Sequence, residues 1–259
     1  MLFIGDIVGK PGRQAVAGLL PSLKSDLCPD FTVANAENAA GGMGITKETA
    51  NEIFSAGVDV LTLGNHVWAK REVYPYLDEE KRIIRPANYP PGVPGTGWTT
   101  YTTPSGLTLG IVNLCGRVFM ENLENPFRVA DVALNELAQY TKLIFVDFHA
   151  EVTSEKSAFA WYVDGRATAV IGTHTHVQTA DERILPGGTA FITDVGMTGP
   201  TDSVIGIKKD LIISRFVNLM PSKFEIADGE SILSAVVIEA DAATGHAESI
   251  RRIQSHWHG

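Results

Sequence analysis

The stretch Val170-Ile171-Gly172-Thr173-His174-Thr175-His176 decides how this chain is read. A short β-branched run of strand type ends at an imidazole, with a second imidazole two residues on. The arrangement recurs four times: Leu2-Phe3-Ile4-Gly5 runs into Asp6, Phe31 to Ala36 into Glu37-Asn38, Val58 to Gly64 into Asn65-His66, and Leu143 to Phe148 into His149. In open α/β sheets, ligands sit outside the carboxyl ends of the strands. Five metal-competent strand ends can therefore meet in one crevice.

The rest of the chain supplies sheets to carry those ends. Up to residue 180, apolar strand patterns (Leu2–Ile4, Phe31–Val33, Val58–Leu63, Arg82–Arg85, Leu143–Phe148, Ala167–Ile171) alternate with helical ones. Helices are expected from Pro11 to Leu27, with Pro11 in the first turn, and from Thr46 to Ala56, with Thr46 as N-cap. Further helices are expected over Val67–Glu80, Arg128–Tyr140 and Ser154–Tyr162. Trp98–Thr103 and Leu107–Leu114, joined by Pro104-Ser105-Gly106, read as a hairpin. Beyond 180 the pattern turns β-rich (Arg183–Leu185, Thr189–Thr193, Ser231–Glu239, Ala247–Ile253), interrupted by one helix near Lys208–Met220. This is an α/β chain with a mixed sheet or two packed sheets. The turn-rich loop at 88–97 does not read as a linker, so residues 1–259 are expected to form a single domain.

Composition narrows the partners. Asp and Glu outnumber Lys and Arg by 30 to 21, for a net charge of −9. Such a balance gives no footprint for duplex nucleic acid. An anionic substrate would need a local positive source, which points to metal ions. No run approaches the ~20 apolar residues of a membrane span, and the opening residues do not read as a signal peptide, so a cytoplasmic location is expected. Cys28 and Cys115 are expected to be small buried hydrophobes.

Four of the seven histidines (His66, His149, His174, His176) lie at the strand ends, while His246, His256 and His258 fall near the C-terminus and are expected to face solvent. Imidazole mixed with carboxylate and amide oxygen, without thiolate, suits Fe, Mn, Zn or Ni rather than a structural zinc cluster. About six donors exceed what a mononuclear catalytic site takes from protein; a pair of ions ~3.5–4 Å apart would use them all. Such pairs clamp the attacking and leaving oxygens of a phosphate ester and make hydroxide available near neutrality. Hydrolytic phosphoryl transfer is the reaction class this favours. Gly9-Lys10 lacks P-loop spacing, Gly41-Gly42-Met43-Gly44 lacks the third glycine of a dinucleotide fingerprint, and no G-x-S-x-G elbow occurs. The glycine run at 41–44 is instead expected to let backbone approach the centre.

Taken together, Gly5-Asp6, Asn35-Ala36-Glu37-Asn38, Gly64-Asn65-His66, His149 and Gly172-Thr173-His174-Thr175-His176 resemble the calcineurin-like metallophosphoesterase superfamily, and within it the YmdB-like branch of cyclic-nucleotide phosphodiesterases. The resemblance covers nearly the whole chain. It implies two stacked mixed β-sheets flanked by helices, a four-layer α-β-β-α sandwich, with a dinuclear centre at the sheet edge. It also implies that Glu37 bridges two metal ions, Fe or Mn foremost and Zn or Ni after them. Asp6, Asn38 and His176 would complete one site, and Asn65, His149 and His174 the other. His66 would face the scissile phosphate of a 2′,3′- or 3′,5′-cyclic nucleotide, attacked by a bridging hydroxide. The sequence departs from the broad superfamily where Asp-x-His becomes Asp6-Ile7-Val8 and where Glu37 stands for the usual bridging Asp. A homo-oligomer stays open on the same resemblance. So do two other readings: a metal-containing sensor of cyclic nucleotides or phosphorylated partners, and a metal-dependent amidohydrolase on a β/α barrel. Arg13, Arg117 and Arg128 are candidate phosphate contacts, set against ordinary solvated roles.

Overall fold

The computed structural model describes residues 1–259. Its strands are β1 (Leu2–Ile4), β2 (Asp6–Ile7), β3 (Thr32–Asn35), β4 (Val60–Thr62), β5 (Ile83–Ile84), β6 (Trp98–Thr102), β7 (Thr108–Cys115), β8 (Ile144–His149), β9 (Ala169–Thr173), β10 (Arg183–Ile184), β11 (Ala190–Ile192), β12 (Met197–Pro200), β13 (Ser231–Ala240) and β14 (Ala247–Trp257). The helices are α1 (Gly9–Leu27), α2 (Lys47–Ser55), α3 (Tyr74–Glu79), α4 (Pro126–Leu137), α5 (Thr153–Val163) and α6 (Lys209–Asn218). Eight strands form one mixed sheet in the order β2-β12-β13-β1-β3-β4-β5, with β14 also paired to β13, and six form the other in the order β10-β11-β9-β8-β7-β6.

The two-residue period of each strand sorts its side chains into layers. Leu2 and Ile4 of β1 pack with Val16 and Leu20 of α1, whereas Phe3 between them joins Phe145, Ile111 and Ile171 of the second sheet. On that sheet's far face, Ile144, Val146 and Phe148 pack against Leu134 of α4 and Phe159 of α5. Three apolar layers therefore separate helices, sheet, sheet and helices, the four-layer sandwich that the resemblance implies. Phe31 meets Phe145 edge-on between the sheets, with ring centroids 5.2 Å apart. Two mixed sheets exclude the closed parallel barrel of the amidohydrolase reading.

The local differences have physical causes. The helix α1 starts at Gly9, so Pro11 falls in its first turn, as its fixed φ allows. The segment Val67–Glu80 is helical only from Arg71, as a short 3-10 turn (Arg71–Val73) running into α3, where Pro75 suits a helix start. β12 carries little alternation, and its Gly199-Pro200 end conceals it. Cys115 is buried, but Cys28 is exposed, in a left-handed cap at the end of α1; the apolar residues before it belong to an amphipathic helix. His246, His256 and His258 are exposed.

Candidate metal centre

The parallel core of each sheet sets the site. β1, β3 and β4 run parallel in one sheet and β7, β8 and β9 in the other, so their carboxyl ends share one rim. Asp6 and Glu37 come from the first sheet, and His149 and His174 from the second. The Glu37 Oε1 lies 3.0 Å from His149 Nε2, and the same nitrogen is 3.0 Å from Asn65 Oδ1 and 3.0 Å from His174 Nδ1. The backbone N–H of His174 donates to Asp6 Oδ2 at 3.2 Å, and His176 Nε2 stands 4.0 Å from Asp6 Oδ1.

These groups have the surroundings of cation ligands. Asp6 Oδ1 is fully buried without a hydrogen-bond partner, a costly arrangement unless a cation meets it. Donor atoms of Glu37, His149 and His174 lie within 4.8 Å of one another. Gly64 is required here: a Cβ on it would come 2.3 Å from Glu37 Oε2 and 2.4 Å from His149 Nε2. The donor set therefore fits a hard or borderline divalent ion.

Charge follows geometry. Burial would raise the Glu37 carboxyl, but the charge and hydrogen bond of His149, with His66 behind, hold it well below the usual range. Burial would lower His149, yet Glu37 and Asp6 outweigh it and push it up to about 9. Burial and the neighbouring His149 push His174 down to about 3. Burial raises Asp6 to about 6 against the pull of His176 and His149. Without metal, a proton on His149 thus holds the carboxylates together; a cation must displace it.

The remaining candidates lie around this cluster. His176 Nδ1 donates to the Ile205 carbonyl at 2.9 Å, which turns Nε2 toward Asp6 and Asn38. Asn38 meets the cluster with its NH₂, which donates to Glu37 Oε1 at 3.2 Å, while its oxygen faces His66 Nδ1 at 2.9 Å. An oxygen ligand from Asn38 requires its amide to turn over. His66 has the most open side chain of the four histidines, 32% exposed against 0% for His149.

The YmdB-like protein family matches residues 2–253. This chain belongs to that family. It is therefore a phosphodiester hydrolase of the metallophosphoesterase superfamily, whose members use divalent metal ions. A Bacillus subtilis 2′,3′-cyclic-nucleotide 2′-phosphodiesterase is 51% identical over 253 residues, covering 98% of this chain and 96% of its own. A crystal structure of a hypothetical protein from Thermus thermophilus superposes with TM-score 0.92 at 42% identity, covering 98% of both chains. A phosphatase crystal structure from Mycoplasma pneumoniae also gives 0.92, at 35% identity over 98% of this chain and 92% of that one. No helix of this YmdB-like chain is long and apolar enough to cross a membrane.

Two readings of the sequence change at the site, and the solvated role set against phosphate contact stands for Arg117 and Arg128. Arg13 is a structural tie: its guanidinium bonds Glu52 at 2.5 Å and the Ala39 carbonyl at 2.6 Å, joining α1 to α2. Arg117 and Arg128 are exposed, on the loop after β7 and in the first turn of α4. The glycines at 41, 42 and 44 serve their own left-handed turns, with Gly42 against Ile226, and Gly64 is where close approach to the cluster is needed.

Three buried polar residues escaped the sequence reading. Asp147 interrupts a strand read as apolar, and its carboxylate accepts from Asn35, Thr62 and Thr173. Lys156, fully buried, bonds Asp194 and the Thr173 carbonyl, both at 2.7 Å. Asp194 in turn accepts from Thr175 and Gly196, clamping the turn in which His174 and His176 hold positive φ of 97° and 67°. A signal was present: Lys156 shares the buried face of α5 with Phe159, Ala160 and Val163, where a lysine is out of place unless paired.

Proposed function

We propose that this chain hydrolyses 2′,3′-cyclic nucleotides at a centre of two cations, breaking the bond from phosphorus to the 2′ oxygen. The observation that carries the reading is the convergence of Asp6, Glu37, His149 and His174 from two sheets, with an unpartnered buried oxygen among them. The substrate follows the activity named for the Bacillus subtilis relative, which favours the 2′,3′ ring over the 3′,5′ one.

Glu37, central and ionised, is positioned to bridge. Asp6, His176 and a turned Asn38 would hold one ion; Asn65, His149 and His174 would hold the other. Bound ions, iron or manganese first on this nitrogen and oxygen set, supply Lewis acidity to the phosphoryl oxygens and acidify water. His66, on the open side, faces the substrate and gives a proton to the departing 2′ oxygen through Nε2. The residues would act together: carboxylates, amide oxygens and three imidazoles would hold the cations, and His66 would move the proton.

Elemental analysis of purified protein with turnover of a 2′,3′-cyclic nucleotide tests this. Two metals per chain are expected, and Glu37→Gln should lose at least ~10³-fold in turnover, the several kcal/mol that metal ions contribute, while still folding. His66→Ala should lower kcat by about 10²–10⁴ with both metals retained. Wild-type rates from folded, metal-loaded Glu37→Gln would overturn the bridging role, and loss of metal from His66→Ala would make His66 a ligand.

A further inference from the structure

We infer that Asp147 and Thr173 form a relay that fixes which ring nitrogen of His149 faces the metal centre. The inference rests on the reading of His149 as a ligand through Nε2. Its basis is the direction of each hydrogen bond around Asp147.

Asp147 and His149 are two residues apart on β8 and point to the same face, and Thr173 is the β9 register partner of His149. Asp147 Oδ2 accepts from Asn35 Nδ2 at 2.9 Å and from the Thr62 hydroxyl. The Asn35 amide cannot be turned the other way, because its oxygen accepts from the Glu37 backbone N–H at 3.1 Å. The second oxygen, Oδ1, accepts from the Thr173 hydroxyl at 2.6 Å. A threonine hydroxyl has one hydrogen, so the 2.9 Å contact between Thr173 Oγ1 and His149 Nδ1 must take its hydrogen from the ring. Nδ1 is then the donor, and Nε2, beside Glu37, Asn65 and His174, is the nitrogen whose proton a cation replaces. A histidine ligand orients through the bond its other nitrogen makes; here a hydroxyl stands between ring and carboxylate. Asp147 and Thr173 act through His149, from its Nδ1 side, so both are positioning residues.

The isosteric variant Asp147→Asn reverses the relay. Two donors converge on the Oδ2 position, so the new amide places its oxygen there and its NH₂ against Thr173. The Thr173 hydroxyl must then donate to His149 Nδ1, and the ring hydrogen moves to Nε2. The experiment measures Zn²⁺ affinity by chelator competition and follows His149 by side-chain ¹⁵N NMR in metal-free protein above pH 9, where the ring is neutral, alongside thermal melting. Asp147→Asn should bind Zn²⁺ about 10–100-fold more weakly, as loss of a ligand's orienting partner does, with the His149 hydrogen moved from Nδ1 to Nε2. Thr173→Ser should retain wild-type affinity, and Thr173→Val should lose it as Asp147→Asn does; this pair carries the test if Asp147→Asn does not fold. A melting-temperature change with the His149 hydrogen still on Nδ1 and unchanged affinity would overturn the relay alone. Zn²⁺ binding to the wild-type protein with no effect on the His149 ring nitrogens would overturn the reading of His149 as a ligand, and the relay with it.

Discussion

At one end of the space between the sheets, Phe31, Ile111, Phe145 and Ile171 form an apolar layer; at the other, Asn35, Thr62, Asn113, Asp147 and Thr173 fill the same layer with hydrogen bonds. The same strands supply both ends. Val33, Asn35 and Glu37 follow one another on one face, as do Val60, Thr62 and Gly64, and Phe145, Asp147 and His149. Each series passes from apolar residue to buried polar residue to the rim. The apolar end is non-directional and holds the sheets together. The polar end is directional, because buried donors and acceptors must be paired and so hold one geometry. Stability and site geometry are thus divided along the strands rather than between domains.

That division can be broken from either side. The largest effect should come from the apolar end: Phe145→Ala should cost about 3–5 kcal/mol of stability, measured by denaturant unfolding, with metal content per folded chain unchanged. Equal loss of metal would show that the two ends are not separable.

Next comes the charge at the polar end. In the metal-free protein His149 is raised from near 6.5 to about 9 by Glu37 against burial. A raised basic group contributes stability that is present below the unfolded value and lost as pH rises through the folded one. Metal-free protein should therefore lose about 3 kcal/mol between pH 6.5 and 9, and saturating metal should flatten that slope. A melting temperature independent of pH across this window would contradict the His149–Glu37 pairing.

The smallest effect sharpens the contrast. Gly64→Ala pushes a methyl group against Glu37 and His149, and displacement of about 1 Å at such a site costs on the order of 10² in turnover. Thermal melting should fall as well, because the same methyl group parts the buried His149–Glu37 pair. A variant as active as wild type would mean that the carboxylate and imidazole move aside freely.

Much of the fold was legible because it rests on periodicity. The alternation of Leu2, Phe3 and Ile4 or of Phe145 and Val146 is local, and local pattern marks strands. Asp6, Glu37, Asn38, Asn65, His66, His149, His174 and His176 stood out because each follows an apolar run. The residues beneath them did not. Asp147 sat inside such a run and Lys156 inside a helix, and neither shows its partner in the sequence, since Thr173 and Asp194 lie 26 and 38 positions away. Arg13 carried the right charge for phosphate, but its partners Glu52 and Ala39 are on other segments.

The sequence by itself determined the strands, the helices around them and the kinds of ligand atom at their ends, because side-chain period and residue chemistry are properties of short segments. Tertiary structure alone decided which of those atoms meet and in which direction each hydrogen bond runs. Orientation depends on partners that only the stacking of one sheet on the other brings within reach.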